Sequence, residues 1–291
     1  GLPFIEARLG QRAKVPLWRY YWRRVTRLEP PYLINLAIMF VLLMIVKGAS
    51  FGALWPHWLA SAGYVHGLIY GTMSTINFVA WSLEVEVQFY LVAPLLAAVL
   101  YAPSRIFRRG LVAALVVAIM AGKMAMGGPL MASLPFALPN YLDHFLIGLF
   151  LADIYASDWL SAPVLGWKWD LLAVCGWGGI LATQLLNGGS HWLPLATLIA
   201  FAGSLCGHGF HVILTQPAVV VTGGMCYTIY LYHFALISAI GRFLIGLWPS
   251  AGYFPTLALH VVVLVPLVLT TSAALFLLFE KPFMVWRGNG W

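Results

Sequence analysis

Long apolar runs, cut by short clusters of glycine, proline and charge, dominate the chain. Runs at 31–46, 78–101, 110–126, 140–155, 170–186, 192–209, 224–247 and 255–279 each hold roughly the 17–25 residues, or slightly fewer, that a bilayer crossing needs. Turn-forming clusters separate them, among them Gly127-Gly128-Pro129, Asn187-Gly188-Gly189-Ser190 and Trp248-Pro249-Ser250-Ala251-Gly252. Pro30-Pro31 suits the start of the first span, because a helix N-terminus does not miss the proline N–H. The stretch 57–70 differs. His57, Ser61, His66 and Tyr70 make it half-polar, so it predicts an interfacial or re-entrant helix rather than a crossing. The expected fold is all-α: a polytopic transmembrane helix bundle of about eight crossings with one interfacial helix. Residues 1–30 form a basic juxtamembrane segment and 31–291 a single bundle domain.

Composition agrees with the pattern. The chain has 291 residues, 62% hydrophobic and 9% charged, with mean hydropathy +0.89. A soluble domain carries about 25% charged residues, so that class is excluded. The net charge of +7 is less informative than its placement. With the first residues in the cytoplasm, Arg8, Arg12, Lys14, Arg19, Arg23, Arg24, Arg27, Arg105, Arg108, Arg109, Lys168, Lys281 and Arg287 all fall on the cytoplasmic side. Lys47, Lys123 and Arg242 are the exceptions. Eight crossings then leave both termini in the cytoplasm. The basic charge is assigned to the lipid bilayer, and no nucleic-acid partner is expected. Cys175, Cys206 and Cys226 all sit in apolar runs, which argues against a disulfide framework or a zinc site. His208 and His211 are one turn apart but have no third ligand nearby, so no metal is expected.

Candidate chemistry concentrates where polar groups interrupt apolar runs. Glu84, Glu86 and Gln88 lie inside the run from Phe78 to Tyr101. Carboxylates at membrane depth are costly and by default face protein or a water-filled cavity. Glu84 and Glu86 point about 200° apart on a helix, so they cannot share one environment. Glu86 has Ser82 one turn before it and Tyr90 one turn after, and both hydroxyls can hold it ionised. Glu84 is placed nearer the outer interface, with Asn77 and Gln88 as polar neighbours and water to solvate it. Tyr227-Thr228-Ile229-Tyr230-Leu231-Tyr232-His233-Phe234 puts His233 near mid-membrane. Taken alone, His233 could equally be an interior histidine bonded to a tyrosine or a carbonyl. Arg24 and Arg27 are one turn apart and could clamp phosphate oxygens. Asp143-His144 invites a catalytic pairing, but adjacent residues on a helix do not meet, so an interfacial role is expected. His57, His66, His191 and His260 are read as single interfacial histidines.

Trp81-Ser82-Leu83-Glu84-Val85-Glu86-Val87-Gln88-Phe89-Tyr90, with Pro94 beyond, resembles the signature of the acyltransferase 3 family, in which Glu84 holds a variable position. Arg23-Arg24-Val25-Thr26-Arg27-Leu28-Glu29-Pro30-Pro31-Tyr32 is similar to a second motif of that family, and the stretch around His233 to a third. Phe279-Glu280-Lys281-Pro282-Phe283 looks like its terminal motif and is read as a stop, with Pro282 ending the helix and Glu280 docking on the N-terminal arginines. The family comprises polytopic membrane enzymes that acylate sugars of surface polysaccharides and related acceptors. The resemblance implies Glu86 and His233 as catalytic residues. It implies Arg24, Arg27, Trp81, Ser82, Gln88, Tyr90 and Tyr230 as substrate-binding ones, with Arg105, Arg108 and Arg109 assisting at the donor's phosphates. The donor would be an acyl-CoA, acetyl-CoA first, acting as co-substrate with no bound cofactor. The acceptor would be a hydroxyl of a saccharide or surface-glycan precursor, and the site the bacterial inner membrane. The family begins with two further helices carrying a basic residue and a histidine, which residues 1–22 do not supply. The chain is therefore expected to be a piece that lacks the usual base and is inactive by itself. Two alternatives stay open: a proton-coupled transporter or flippase using Glu86 and His233, and an inactive acyltransferase-like scaffold.

Overall fold

A computed structural model describes residues 5, 16–159, 165–186, 189–247 and 252–288. Among these residues there is no strand, and the chain is a succession of helices. They are α1 (Leu17–Lys47), α2 (Phe51–Ala62), α3 (His66–Tyr70), α4 (Trp81–Ala97), α5 (Arg105–Met126), α6 (Leu142–Ile154) and α7 (Trp167–Leu185). Then come α8 (Leu193–Cys206), α9 (His208–Leu214), α10 (Pro217–Gly224), α11 (Cys226–Leu247), α12 (Tyr253–Leu275) and α13 (Lys281–Gly288).

Five helical stretches are long and apolar enough to cross a membrane: Leu17–Lys47, Phe78–Ala97, Arg105–Met126, Cys226–Gly246 and Tyr253–Val285. A sixth exists if α8 and α9, bent by 82° at Gly207, are one broken span. The other two expected crossings do not reach that mark. The stretch from α6 through Trp159 carries Asp143, Asp153 and Asp158, and α7 carries Lys168 and Asp170 at its start and Gln184 at its end. The 82° bend has a local cause: Asp170 accepts from the backbone N–H of Gly209 and Phe210, which pins the start of α9 to α7.

Three local expectations are corrected. Pro30 and Pro31 do not begin the first span but lie inside the 31-residue α1. A proline in a helix interior removes a hydrogen bond and costs about 3 kcal/mol. Burial on both sides offsets this, with Leu28 before the prolines and Tyr32, Asn35 and Leu36 after them all packed away. Residues 17–30 and the first span are thus one rod. The interfacial helix is two helices, α2 and α3, joined by a turn through Gly63 and Tyr64, with Tyr64 at φ 56°. At the other end, the helical path does not stop at Pro282. It passes through a wide turn at Phe276–Glu280, where Lys281 N–H bonds back to the Phe276 carbonyl, and runs on through Pro282 in α13. Start and stop signals elsewhere act as their chemistry predicts. Ser104 accepts from Phe107 N–H at the head of α5, and Gly127 closes it at φ 64°.

Trp18–Glu84 with Pro217–Trp291 form one compact unit, and Gly1–Leu17 with Val85–Gln216 the other. In the first unit α11 and α12 pack as a hairpin, and Tyr32, Leu36, Leu231, Leu264 and Val268 are buried. In the second, α7 lies against α8 at backbone distance. A methyl added at Gly176 would collide with the Ala200 backbone, and one at Gly203 with that of Ala173. Small residues permit this approach between helices that lack a hydrophobic drive to associate in lipid.

Candidate active site

A buried polar assembly in the first unit supports the motif residues there. Asn77 precedes α4 and caps its approach by accepting from Val79 N–H. Its amide donates to Asn35 Oδ1 at 2.7 Å and to the Leu231 carbonyl at 3.1 Å. Asn35 Nδ2 donates to the same carbonyl at 3.2 Å. Two amides from α1 and from the segment before α4 therefore grip α11 one residue from Tyr230. Ser61 and Ser74 share a hydrogen bond of 2.6 Å, and Ser74 Oγ accepts from Ile76 and Asn77 N–H. The Tyr32 hydroxyl donates to the Ser61 carbonyl at 3.1 Å, and its ring stacks on Tyr64 at 4.9 Å. These interactions fix the entry to α4, and with it Trp81 and Ser82 in the first turn.

Ser82 and Tyr230 meet at 2.9 Å. The Tyr230 hydroxyl also donates to the Val79 carbonyl. A phenol has one proton, so Ser82 is the donor to Tyr230. His233 follows on the next turn, its ring 6.3 Å from that of Tyr230. Its Nδ1 lies 2.8 Å from the Tyr230 carbonyl and 3.1 Å from that of Ile229. Carbonyls only accept, so Nδ1 carries the proton and Nε2 of the neutral ring carries the lone pair. The carbonyl-bonded histidine left open by the sequence is what is found, and the bond orients the ring rather than consuming its basic nitrogen.

Glu84 is not solvated at an interface. It is 1% exposed, and its Oε2 accepts the Gly67 N–H of α3 at 2.7 Å. The sequence treats it as the idle glutamate, yet here it anchors the α2–α3 hairpin. His57 and His66 are not single either. His66 Nδ1 faces the Thr72 carbonyl at 3.2 Å, and its Nε2 meets His57 Nδ1 at 2.8 Å. Burial depresses the His66 pKa below its ordinary value, outweighing the help of the Thr72 carbonyl, and His57 depresses it further.

Arg24 stacks over the Tyr20 ring, 3.6 Å from its centre, and donates to the Tyr20 carbonyl. Arg27 is exposed one turn on. Glu280 is buried and accepts from Thr228 Oγ1 at 2.5 Å, with Arg27 near enough to act on it electrostatically.

The remaining site residues belong to the second unit. Glu86 is half-buried and accepts from the Tyr90 hydroxyl. Ser82, the other expected hydroxyl, is engaged by Tyr230 instead. Gln88 clamps a loop: it donates to the Phe136 carbonyl at 3.1 Å and accepts from Leu138 N–H at 2.8 Å. Both ends of its amide are engaged by the loop. Arg108 and Arg109 are likewise committed. Arg108, 1% exposed, is bidentate to Asp153, and Arg109 spans Asp153 and Asp158. Arg105 reaches Asp158 from the surface. Asp143 and His144 do meet, at 3.0 Å, because they sit in the first turn of α6 where the side chain can fold back. Asp143 is fully buried and also holds Lys123 at 2.7 Å. Asn35 and Ser74 escaped sequence reasoning, and Asn77 and Ser61 enter it only as a neighbour of Glu84 and as part of a half-polar stretch. Asn35 carried a readable signal, an amide in the middle of an apolar span.

Among the described residues no group of three or more His, Cys, Asp or Glu is placed to hold a metal ion. A family described as an acyltransferase domain, type 3, matches residues 8–277. No curated protein and no solved structure matches the chain.

Proposed function

The chain belongs to the acyltransferase 3 family, and on that premise we propose that it takes part in moving a short acyl group, acetyl first, from coenzyme A to a hydroxyl of a saccharide or surface-glycan precursor. The match across nearly the whole chain carries this reading, and it covers Glu86, His233, Arg24 and Arg27 alike.

Transfer forms an ester. The acceptor oxygen attacks the thioester carbonyl, the hydroxyl proton leaves to a base, and the C–S bond breaks to release the coenzyme as a thiol. A positioned acid–base group and donors for the developing oxyanion lower that barrier. His233, with its proton fixed on Nδ1 by the Tyr230 carbonyl, offers Nε2 to accept or relay a proton. Glu86 holds acceptor hydroxyls or a protonated base, steadied by Tyr90. Ser82 and Tyr230 form an ordered hydroxyl pair that can turn toward substrate. Arg24, its plane set by Tyr20, and Arg27 bind the coenzyme's phosphates; such charged contacts contribute roughly 1.5–3 kcal/mol each. The protein resides in a bacterial inner membrane with both termini cytoplasmic.

The test is release of free coenzyme A from acetyl-CoA by membranes carrying the full-length protein, with and without saccharide acceptor. Acceptor-dependent release is expected. Release no greater than from empty membranes overturns the reading. Arg24→Ala should raise the donor's apparent constant and leave the acceptor's unchanged. Arg24→Lys should fail to restore it, since lysine lacks the bidentate fork.

A further inference from the structure

The second unit holds a cavity of about 390 Å³ among α5, α6 and α8. That is within the range of small-molecule sites, roughly 300–1,000 Å³. Val112, Val116, Met120, Met124, Ile147 and Trp192 are on its wall, and the other lining side chains are apolar too. Water gains nothing there, because a buried water needs two to four polar partners. The wall follows α5 from Val112 to Met124, about 18 Å of helix. One leaflet of a hydrocarbon layer about 30 Å thick is about 15 Å deep. The cavity thus has the length of a single acyl chain lying along one leaflet.

One end is chemically distinct. Lys123 is three residues beyond Met120, and Asp143 is one turn before Ile147, so both stand at the Met124 end of the wall. Lys123 Nζ donates to Asp143 Oδ2 at 2.7 Å, and His144 Nδ1 lies 3.0 Å from Asp143 Oδ1. The buried carboxylate holds both groups in place. Asp143 occupies one of three N–H donors of Lys123, whose side chain keeps 12% exposure; His144 keeps 32%. An ammonium and an imidazole edge therefore stand beside an apolar slot, near the end of a helix that stops at Met126.

We propose that this cavity binds one acyl chain of an anionic phospholipid, with Lys123 holding the phosphate through its remaining N–H donors. The apolar length selects the chain, and the ammonium at its end selects the head. This is independent of acyl transfer, since none of these residues is assigned to the reaction.

The experiment strips the full-length protein of lipid in detergent and titrates it with phosphatidylglycerol, counting bound lipid by native mass spectrometry. Wild type should retain phosphatidylglycerol at least about tenfold better than a diacylglycerol with the same tails. Ala113→Phe with Ala121→Phe, which fills the slot, should abolish retention, while Val262→Phe on exposed α12 should not. Inorganic phosphate should not displace the lipid. Equal binding of diacylglycerol, displacement by phosphate alone, or undiminished retention by the double phenylalanine variant each overturns the proposal. A second readout avoids packing changes: phosphatidylglycerol with brominated tails should quench wild type more than Trp192→Phe. Equal quenching also overturns it.

Discussion

Replacing Glu84 tests how the α2–α3 hairpin is held. The side chain is 1% exposed, and Oε2 accepts the buried Gly67 N–H at 2.7 Å. Glu84→Ala removes that acceptor and strands the amide, which costs about 1–3 kcal/mol. It also removes a buried methylene, about 0.8 kcal/mol more. The sum is roughly 2–4 kcal/mol. Glu84→Gln keeps an amide oxygen in reach of Gly67. It leaves the Gly67 amide satisfied by a neutral acceptor, so the cost stays within about 1 kcal/mol. Glu84→Ala should therefore lower the unfolding temperature clearly and Glu84→Gln little. Hydrogen exchange gives the local readout. The Gly67 amide should lose roughly thirty- to several-hundred-fold protection in the alanine variant, at tenfold per 1.4 kcal/mol. If Gly67 stays as protected in Glu84→Ala as in wild type, the anchor role is wrong.

Other outcomes follow from the same structure. Glu86→Gln in the full-length protein should reduce acyl transfer at least about tenfold, or 1.4 kcal/mol of barrier, while Glu84→Gln changes it less than about threefold; the reverse ranking removes the assignment of Glu86. Asn35→Ala and Asn77→Ala should be coupled, with an interaction energy of about 0.5–3 kcal/mol in a stability cycle, since both grip the Leu231 carbonyl; strict additivity contradicts the shared network. Arg108→Met should destabilise by up to about 3 kcal/mol because buried Asp153 loses its bidentate partner and keeps Arg109, and adding Asp153→Leu should recover part of it. His66 binds a proton less readily folded than unfolded, so its contribution is complete above the unfolded value of 6.5 and is lost as pH falls below that. The unfolding temperature of wild type should drop between pH 7.5 and 5.5 more than that of His66→Asn; equal drops would exclude His66 as the cause.

The sequence by itself determined the class of the molecule. Apolar runs of spanning length can satisfy their backbone in lipid only as helices, so an all-helical membrane protein followed from hydropathy. The motif residues around Glu86, His233 and Arg24 were legible for the same reason: polar groups stand out against an apolar background. Tertiary structure decided which of them face one another. Helix periodicity placed Glu84 and Glu86 on opposite faces but could not tell which face is buried, and the Gly67 amide that claims Glu84 lies 17 residues away. Pro30-Pro31 reads as a helix start from local chemistry, yet packing of Leu28, Tyr32 and Leu36 carries α1 through it. The His57–His66 pair, the Asn35–Asn77 grip and the Arg108–Asp153 pair join residues far apart in sequence or across a turn, and no local rule encodes them. In a bundle the period of a helix fixes the angle of each side chain about its own axis. Only the neighbour packed against that face decides whether the side chain meets lipid, carbonyl or charge.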